Sequence, residues 1–365
     1  MGFNCGIVGL PNVGKSTLFN AITGTAAAAA ENYPFCTIEP NVGRVPVPDP
    51  RLDQVTEVAG AAKTVLTQLE VVDIAGLVRG ASRGEGLGNR FLGAIREVDA
   101  ILHVLRCFEG GAVAHVEGRV DPVRDVELVE TELLLADLGS LERRVEGLTK
   151  RARGGDAEAK AQLALIERIL PDMQAERPAR LLQPTPEERA HLDTLQLLSA
   201  KPILYICNVD EGSAAHGNAF SAAVATRAAA DGAGVVVVAA AIEAEIAALS
   251  PHERLEYVHA LGLEQPGLER LIVAGHRLLD LITFFTAGPK EARAWTIRRN
   301  TRAQDAAGVI HSDFQRGFIC AEIAPWDEFV RYGGEAGMRE AGRLRQEGRD
   351  YIIQDGEVVR FRFNV

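Results

Sequence analysis

A chain of 365 residues is long enough for two or three domains rather than a single core. Its formal charge of −11, from 39 Lys and Arg against 50 Asp and Glu, excludes a protein that coats nucleic acid non-specifically, since such binding rests on neutralising many phosphates. A local basic patch stays open. Five cysteines without metal-ligand spacing read as reduced thiols. With no leader and no apolar run long enough to span a bilayer, the expectation is a cytoplasmic protein without membrane contact.

The first apolar run, residues 3–8, leads into Gly9-Leu10-Pro11-Asn12-Val13-Gly14-Lys15-Ser16. Two glycines let the backbone curl so that successive N–H groups face a β-phosphate. Lys15 supplies a point charge between the β- and γ-phosphates, and the Ser16 hydroxyl is a magnesium ligand. A helix from Thr17 turns its N-terminus toward the same anion. A strand before and a helix after are the context this phosphate loop demands.

Thr37, in the loop 33–40, is the best hydroxyl to complete a magnesium shell. The apolar run 69–72 ends in Asp73-Ile74-Ala75-Gly76, where Asp73 is placed to hold the metal through water and Gly76 to bring its N–H toward the γ-phosphate. Leu77 stands where Ras-like enzymes carry the Gln that orients the attacking water. His115, in the glycine-flanked stretch 110–118, is a candidate for that work, against the plainer reading of a solvated loop histidine. Glycines across residues 80–88 suggest a second switch loop.

A third apolar run, 100–105, is separated from a fourth, 203–207, by about a hundred residues, far more than a strand–helix–strand crossover needs. The filler reads as helix. Leu134, Leu138, Leu141, Val145 and Leu148 recur at three and four spacing, Gly154-Gly155-Asp156 breaks the pattern, and residues 157–170 resume it. An antiparallel helical arm inserted in the nucleotide domain is expected. Lys150, Arg151 and Arg153 fall at its turn, either complementing a helix C-terminus or forming a basic tip for RNA or a partner.

The fourth run delivers Asn208-Val209-Asp210-Glu211, where guanine-specific enzymes carry Asn-Lys-x-Asp. The lysine is missing and the last acid is one methylene longer. Guanine recognition is weakened, and the Asn208 amide suits the N6/N7 edge of adenine. A fifth run follows at 235–240. Fully apolar strands alternating with helices imply a parallel sheet covered on both faces. Beyond residue 280, strands at 284–286 and 291–297, a helix at 306–314 and a hairpin over 351–363 turning at Asp355-Gly356 suggest a small α+β module.

Taken together, residues 6–17, 35–41, 72–77, 79–88, 208–211 and Ile310-His-Ser-Asp-Phe-Gln-Arg-Gly-Phe318 resemble the Obg-like ATPases of the YchF type over essentially the whole chain. The resemblance implies an α/β P-loop nucleotide hydrolase domain with a mostly parallel sheet (residues 1–124 and 200–280). It also implies an inserted coiled-coil arm (125–199) and a C-terminal β-grasp, or TGS, domain (281–364). The implied activity is a magnesium-dependent ATPase switch of low turnover, preferring ATP to GTP and binding the ribosome or its large subunit, with RNA contact through arm or TGS domain. Under it, Asn12, Val13, Gly14, Lys15, Ser16, Thr17 and Gly76 hold phosphates, Asn208, Val209 and Glu211 surround the base, Ser16, Thr37 and Asp73 serve the metal, and Lys15 and His115 act in hydrolysis. Asn12 also stands where a potassium ion would supply charge. A GTP-hydrolysing translation or ribosome-assembly factor and a non-catalytic nucleotide-bound scaffold are the rival readings.

Overall fold

The computed structural model describes residues 3–30, 42–74, 87–110 and 119–364. The described chain divides into two compact units, one containing residues 3–28, 70–74, 87–110 and 119–274 and the other residues 44–69 and 275–364. Among the described residues no helix is long and apolar enough to cross a membrane.

The first unit is built on a parallel sheet. Strand Asn4–Val8 lies between Gln68–Asp73 and Ala100–Arg106, and Ile203–Asn208 and Gly234–Val238 follow in that order. Every residue of Ala100–Arg106 and Ile203–Asn208 is buried, as continuous apolar runs covered on both faces require. The register aligns the carboxyl ends, with Ile7 beside Asp73, Val8 beside His103 and Arg106 beside Asn208. In open α/β sheets that edge is where ligands bind.

The arm consists of Pro122–Arg153 and Ala157–Gln174. Asp121 caps the first helix by accepting the Arg124 N–H, with Pro122 in the first turn, and Asp156 caps the second through the Ala159 N–H. Gly155 takes φ +91° in the turn. Leu134, Leu138, Leu141, Val145 and Leu148 pack with Ala159, Leu163, Ile166, Leu170 and Met173. Both series step by four and three, the repeat of an antiparallel coiled coil. At the tip Arg151 pairs with Asp156 at 2.7 Å, and Lys150 and Arg153 share the last turn. At the root, buried Asp137 accepts the N–H groups of Leu198 and Ser199, each at 2.8 Å, and Arg180 grips Glu130 through two bonds.

The second unit carries a mixed sheet in the order Arg345–Glu347, Phe318–Pro325, Glu357–Phe363, Leu281–Ala287, Ala292–Arg298, Thr64–Val65. Glu357–Phe363 and Leu281–Ala287 run parallel at its centre with antiparallel neighbours outside, the β-grasp arrangement. From the stretch between the first sheet's strands Val42–Pro46 and Gln68–Asp73, helix Pro50–Ala59 and strand Thr64–Val65 cluster with this unit. Helix Pro50–Ala59 buries Leu52 and Val55 against Phe285, Ala294, Phe329, Met338 and Val358. Two local expectations are corrected. Residues 351–363 form no hairpin: Glu357–Phe363 pairs instead with Phe318–Pro325 and Leu281–Ala287. The Asp355 carboxylate, which would have stabilised a tight turn, is taken by Arg51 (2.7 Å) and the Thr283 N–H (2.9 Å). The helix expected over 306–314 is two, Ala303–Ile310 and Ser312–Arg316, because His311 is extended and its Nδ1 caps the Asp313 N–H.

Candidate functional site

Val8 gives way to the phosphate loop at the carboxyl edge of the parallel sheet. Gly14 has φ +95° and Asn12 φ +65°, so the backbone reverses through left-handed conformations. Space is as restrictive as angle: a Cβ on Gly14 would lie 2.2 Å from Asn208 Nδ2, and one on Gly9 2.5 Å from the Val104 carbonyl. Lys15 Nζ folds back over the loop, donating to the carbonyls of Gly9 (3.0 Å) and Leu10 (3.1 Å). Burial lowers its pKa, and the Asp73 carboxylate opposes the shift. The helix Lys15–Ala30 has no acidic residue in its first turn, which leaves its positive end to an incoming anion.

Asp73 closes the strand Gln68–Asp73, and its Oδ1 is buried with no hydrogen-bond partner among the described residues. Burial raises its pKa and Lys15 opposes it. A carboxylate oxygen beside the phosphate loop without a partner among the described residues fits a divalent cation, which would satisfy it. Ser16, exposed at the start of the helix, offers the second hard oxygen donor.

A cavity of about 510 Å³ runs from this loop along the sheet edge. That volume suits a nucleotide-sized ligand. Asn12, Gly14, Lys15, Ser16 and Thr17 form its phosphate end, and Asn208, Val209, Asp210 and Glu211 form a far wall together with Phe108, Arg106, Ala240 and Ala241. Val13 is buried behind the loop. Asn208 is 6 % exposed, and both ends of its amide are engaged. Nδ2 donates to the Val13 carbonyl (2.9 Å) and Oδ1 accepts the Ala240 N–H (3.0 Å). Asn208 thus ties the phosphate loop to the residues after Gly234–Val238, while the second hydrogen of its Nδ2 stays available on the cavity wall. Val209 is pinned by its N–H to the Val238 carbonyl (2.9 Å), whereas the exposed Glu211 carboxylate makes no hydrogen bond or ion pair among the described residues.

The structure thus brings together Asn12, Val13, Gly14, Lys15, Ser16, Thr17, Asp73, Asn208, Val209 and Glu211. Thr37, Gly76, Leu77 and His115 lie outside the described residues. Sequence reasoning did not single out Arg106, Phe108, Gly110, Ala240 and Ala241 as lining residues. Arg106 closes its strand, donates to the Gly110 carbonyl (2.6 Å) and covers the Phe108 ring at 4.7 Å, leaving an apolar ring in the cavity wall. Their signal was position, since any residue ending a strand of this sheet reaches the ligand edge. Ala240 and Ala241 carry no chemical signature at all.

Known proteins place this architecture. Residues 4–136 match a family model described as 50S ribosome-binding GTPase, and residues 281–364 match the YchF-GTPase C-terminal model, described as a protein of unknown function (DUF933). Proteins named ribosome-binding ATPase YchF from Escherichia coli O157:H7 and Bacillus subtilis are 53 % and 49 % identical, over the full length of both chains in each case. The solved YchF GTPase of Schizosaccharomyces pombe superposes with a TM-score of 0.89 at 36 % identity, covering 99 % of this chain and 98 % of that one. With phosphate loop, arm and β-grasp unit all matched, the chain belongs to the YchF family of P-loop nucleotide hydrolases.

Proposed function

We propose that this protein is a magnesium-dependent ATPase that hydrolyses ATP to ADP and phosphate as a slow, nucleotide-controlled switch in the cytoplasm, acting on the ribosome. One observation carries the choice of base. Where a guanine-specific site offers Asn-Lys-x-Asp, this cavity offers Asn208-Val209-Asp210-Glu211, with the Asn208 amide tied to both loops and one Nδ2 hydrogen left over. Val209 and Phe108 give a purine apolar walls, and the Glu211 carboxylate stands one methylene longer than the Asp that pairs with guanine's N1 and N2 donors. That relatives at 53 % and 49 % identity are named ribosome-binding ATPases supports the same reading and its partner.

In this mechanism the backbone of residues 12–17 receives the β-phosphate and Lys15 swings from the Gly9 and Leu10 carbonyls to the β,γ-bridge. Magnesium held through Ser16, Thr37 and Asp73 would neutralise charge developing on the phosphates. Gly76 would offer its N–H to the γ-phosphate, His115 would orient the attacking water in place of the Gln that Leu77 replaces, and Asn12 would hold a potassium ion. The arm or the β-grasp unit would carry the RNA contact.

Titrating the full chain with ATP and GTP tests the reading. Tighter binding and faster turnover with ATP are expected, with phosphate release falling roughly 10²–10³-fold in Lys15→Ala. A clear preference for GTP would overturn the base assignment, and undiminished release from the variant would move hydrolysis elsewhere.

A further inference from the structure

The segment 308–318 takes no part in the nucleotide site, yet the β-grasp unit is shaped around it. Gly317 is required because a Cβ there would lie 2.0 Å from the Asn364 carbonyl, and that close approach brings the helix Ser312–Arg316 against the end of strand Glu357–Phe363. Asn364 donates its N–H to the Gly317 carbonyl at 2.9 Å. Gln315 is locked from two sides: its carbonyl accepts from Gln304 Nε2 and its own Nε2 donates to Asp305, both at 3.0 Å. Gly308 leaves room for it, since a Cβ would meet Gln315 Oε1 at 2.7 Å.

What this scaffold holds outward is aromatic, apolar and cationic. The Phe314 ring stacks on Phe363 with centroids 3.9 Å apart and planes 26° from parallel. Phe363 stays 39 % exposed, and Ile319, next to its strand partner Phe318, is 60 % exposed. Arg316, 75 % exposed, projects from the same short helix and is paired with Asp313. Nδ1 of His311 meets the Asp313 N–H at 3.1 Å, which leaves the Nε2 edge to donate to an incoming acceptor. A buried stack would finish a core; a half-exposed one leaves a π-face to water.

We propose that Phe363, stacked on Phe314 and flanked by Ile319, Arg316 and His311, is a docking surface for an unpaired segment of ribosomal RNA. An exposed ring accepts a base by stacking, Arg316 meets the backbone phosphate, and the His311 donor meets a phosphate or 2′-hydroxyl oxygen. Charge favours this region over the rest of the chain. Residues 281–365 hold 13 of the 39 Lys and Arg but 12 of the 50 Asp and Glu, so the acidic excess that repels a polyanion lies in the remainder. The proposal rests on the ribosome reading and names the contact within it.

The test uses the full-length chain, purified ribosomes and a labelled single-stranded RNA of about ten nucleotides, within the site size of such surfaces. Phe363→Ala and Arg316→Glu are each expected to weaken oligonucleotide binding about tenfold and to reduce ribosome co-sedimentation, with phosphate release unchanged. Phe363→Trp should retain binding and show indole quenching when RNA is added. Arg316→Glu stands on an exposed side chain, so it decides the matter even where Phe363→Ala disturbs the fold. If wild type sediments with ribosomes and both variants do so equally, this surface is overturned while ribosome binding stands. If wild type binds the oligonucleotide but no ribosome, the ribosome reading fails and the proposal with it. A self-association lost in Phe363→Ala, with RNA binding intact, would assign the surface to a second copy of the chain and overturn the RNA proposal.

Discussion

Two carboxylates, one in each unit, show how differently the same chemical group is used. Asp73, at the carboxyl edge of the parallel sheet, has an oxygen that is buried and unmatched among the described residues. Glu357, at the start of a β-grasp strand, has both oxygens occupied. Oε1 accepts from Arg345 (2.8 Å) and the Tyr351 hydroxyl (2.6 Å), and Oε2 accepts the Gln354 N–H (2.8 Å). A buried acid with its partners supplied by the fold is a structural joint; one without them is a place for a ligand. The histidines echo the contrast. His103, fully buried in the nucleotide sheet, has neither ring nitrogen bonded, whereas His276 of the second unit lies 3.4 Å from the Thr296 hydroxyl.

The sharpest way to break that comparison is to neutralise each acid. Asp73→Asn should weaken magnesium-dependent phosphate release by about tenfold or more while leaving the melting temperature close to wild type, because no internal partner is lost. Glu357→Gln should do the reverse, costing about 2 kcal/mol in denaturant unfolding through its charged hydrogen bonds while the turnover of folded protein is unchanged. Equal effects on stability from the two substitutions would erase the distinction.

A smaller effect concerns pH. Burial, with Lys15 and Arg180 nearby, pushes the His103 pKa down to about 3. The unfolded chain protonates near 6.5, so stability is full above that value and is lost as pH falls from about 6.5 toward 3. At pH 5 the loss is about 2 kcal/mol. Acid unfolding of His103→Leu should be flatter between pH 6.5 and 5 than that of wild type, and superimposable slopes would show that this histidine is hydrated or partnered in solution.

Much of the nucleotide unit was legible because its determinants are local. The residue series 9–16 demands its strand, turn and helix in sequence, and the arm's four-and-three repeat names its own packing partners. The β-grasp unit was harder to read. Helix Pro50–Ala59 looks like any amphipathic segment, and only its docking of Leu52 and Val55 beneath Phe285 reveals which unit it serves. Asp355-Gly356 reads as a hairpin turn until Arg51, 304 residues away in sequence, takes the carboxylate.

The sequence by itself determined that a triphosphate binds here, since Gly9, Gly14, Lys15 and Ser16 act through backbone angle and charge that neighbouring residues already set. It also carries Asn208-Val209-Asp210-Glu211 in place of Asn-Lys-x-Asp, the departure on which the proposal of ATP rests. Only the tertiary structure decided what Asn208 does. Its amide spans Val13 and Ala240, which lie 195 and 32 residues away, and a side chain of about 4 Å reach has no way to announce such partners before the sheet brings them together. The same holds for Asp73, whose Oδ1 is left without a partner among the described residues, a property no stretch of sequence announces.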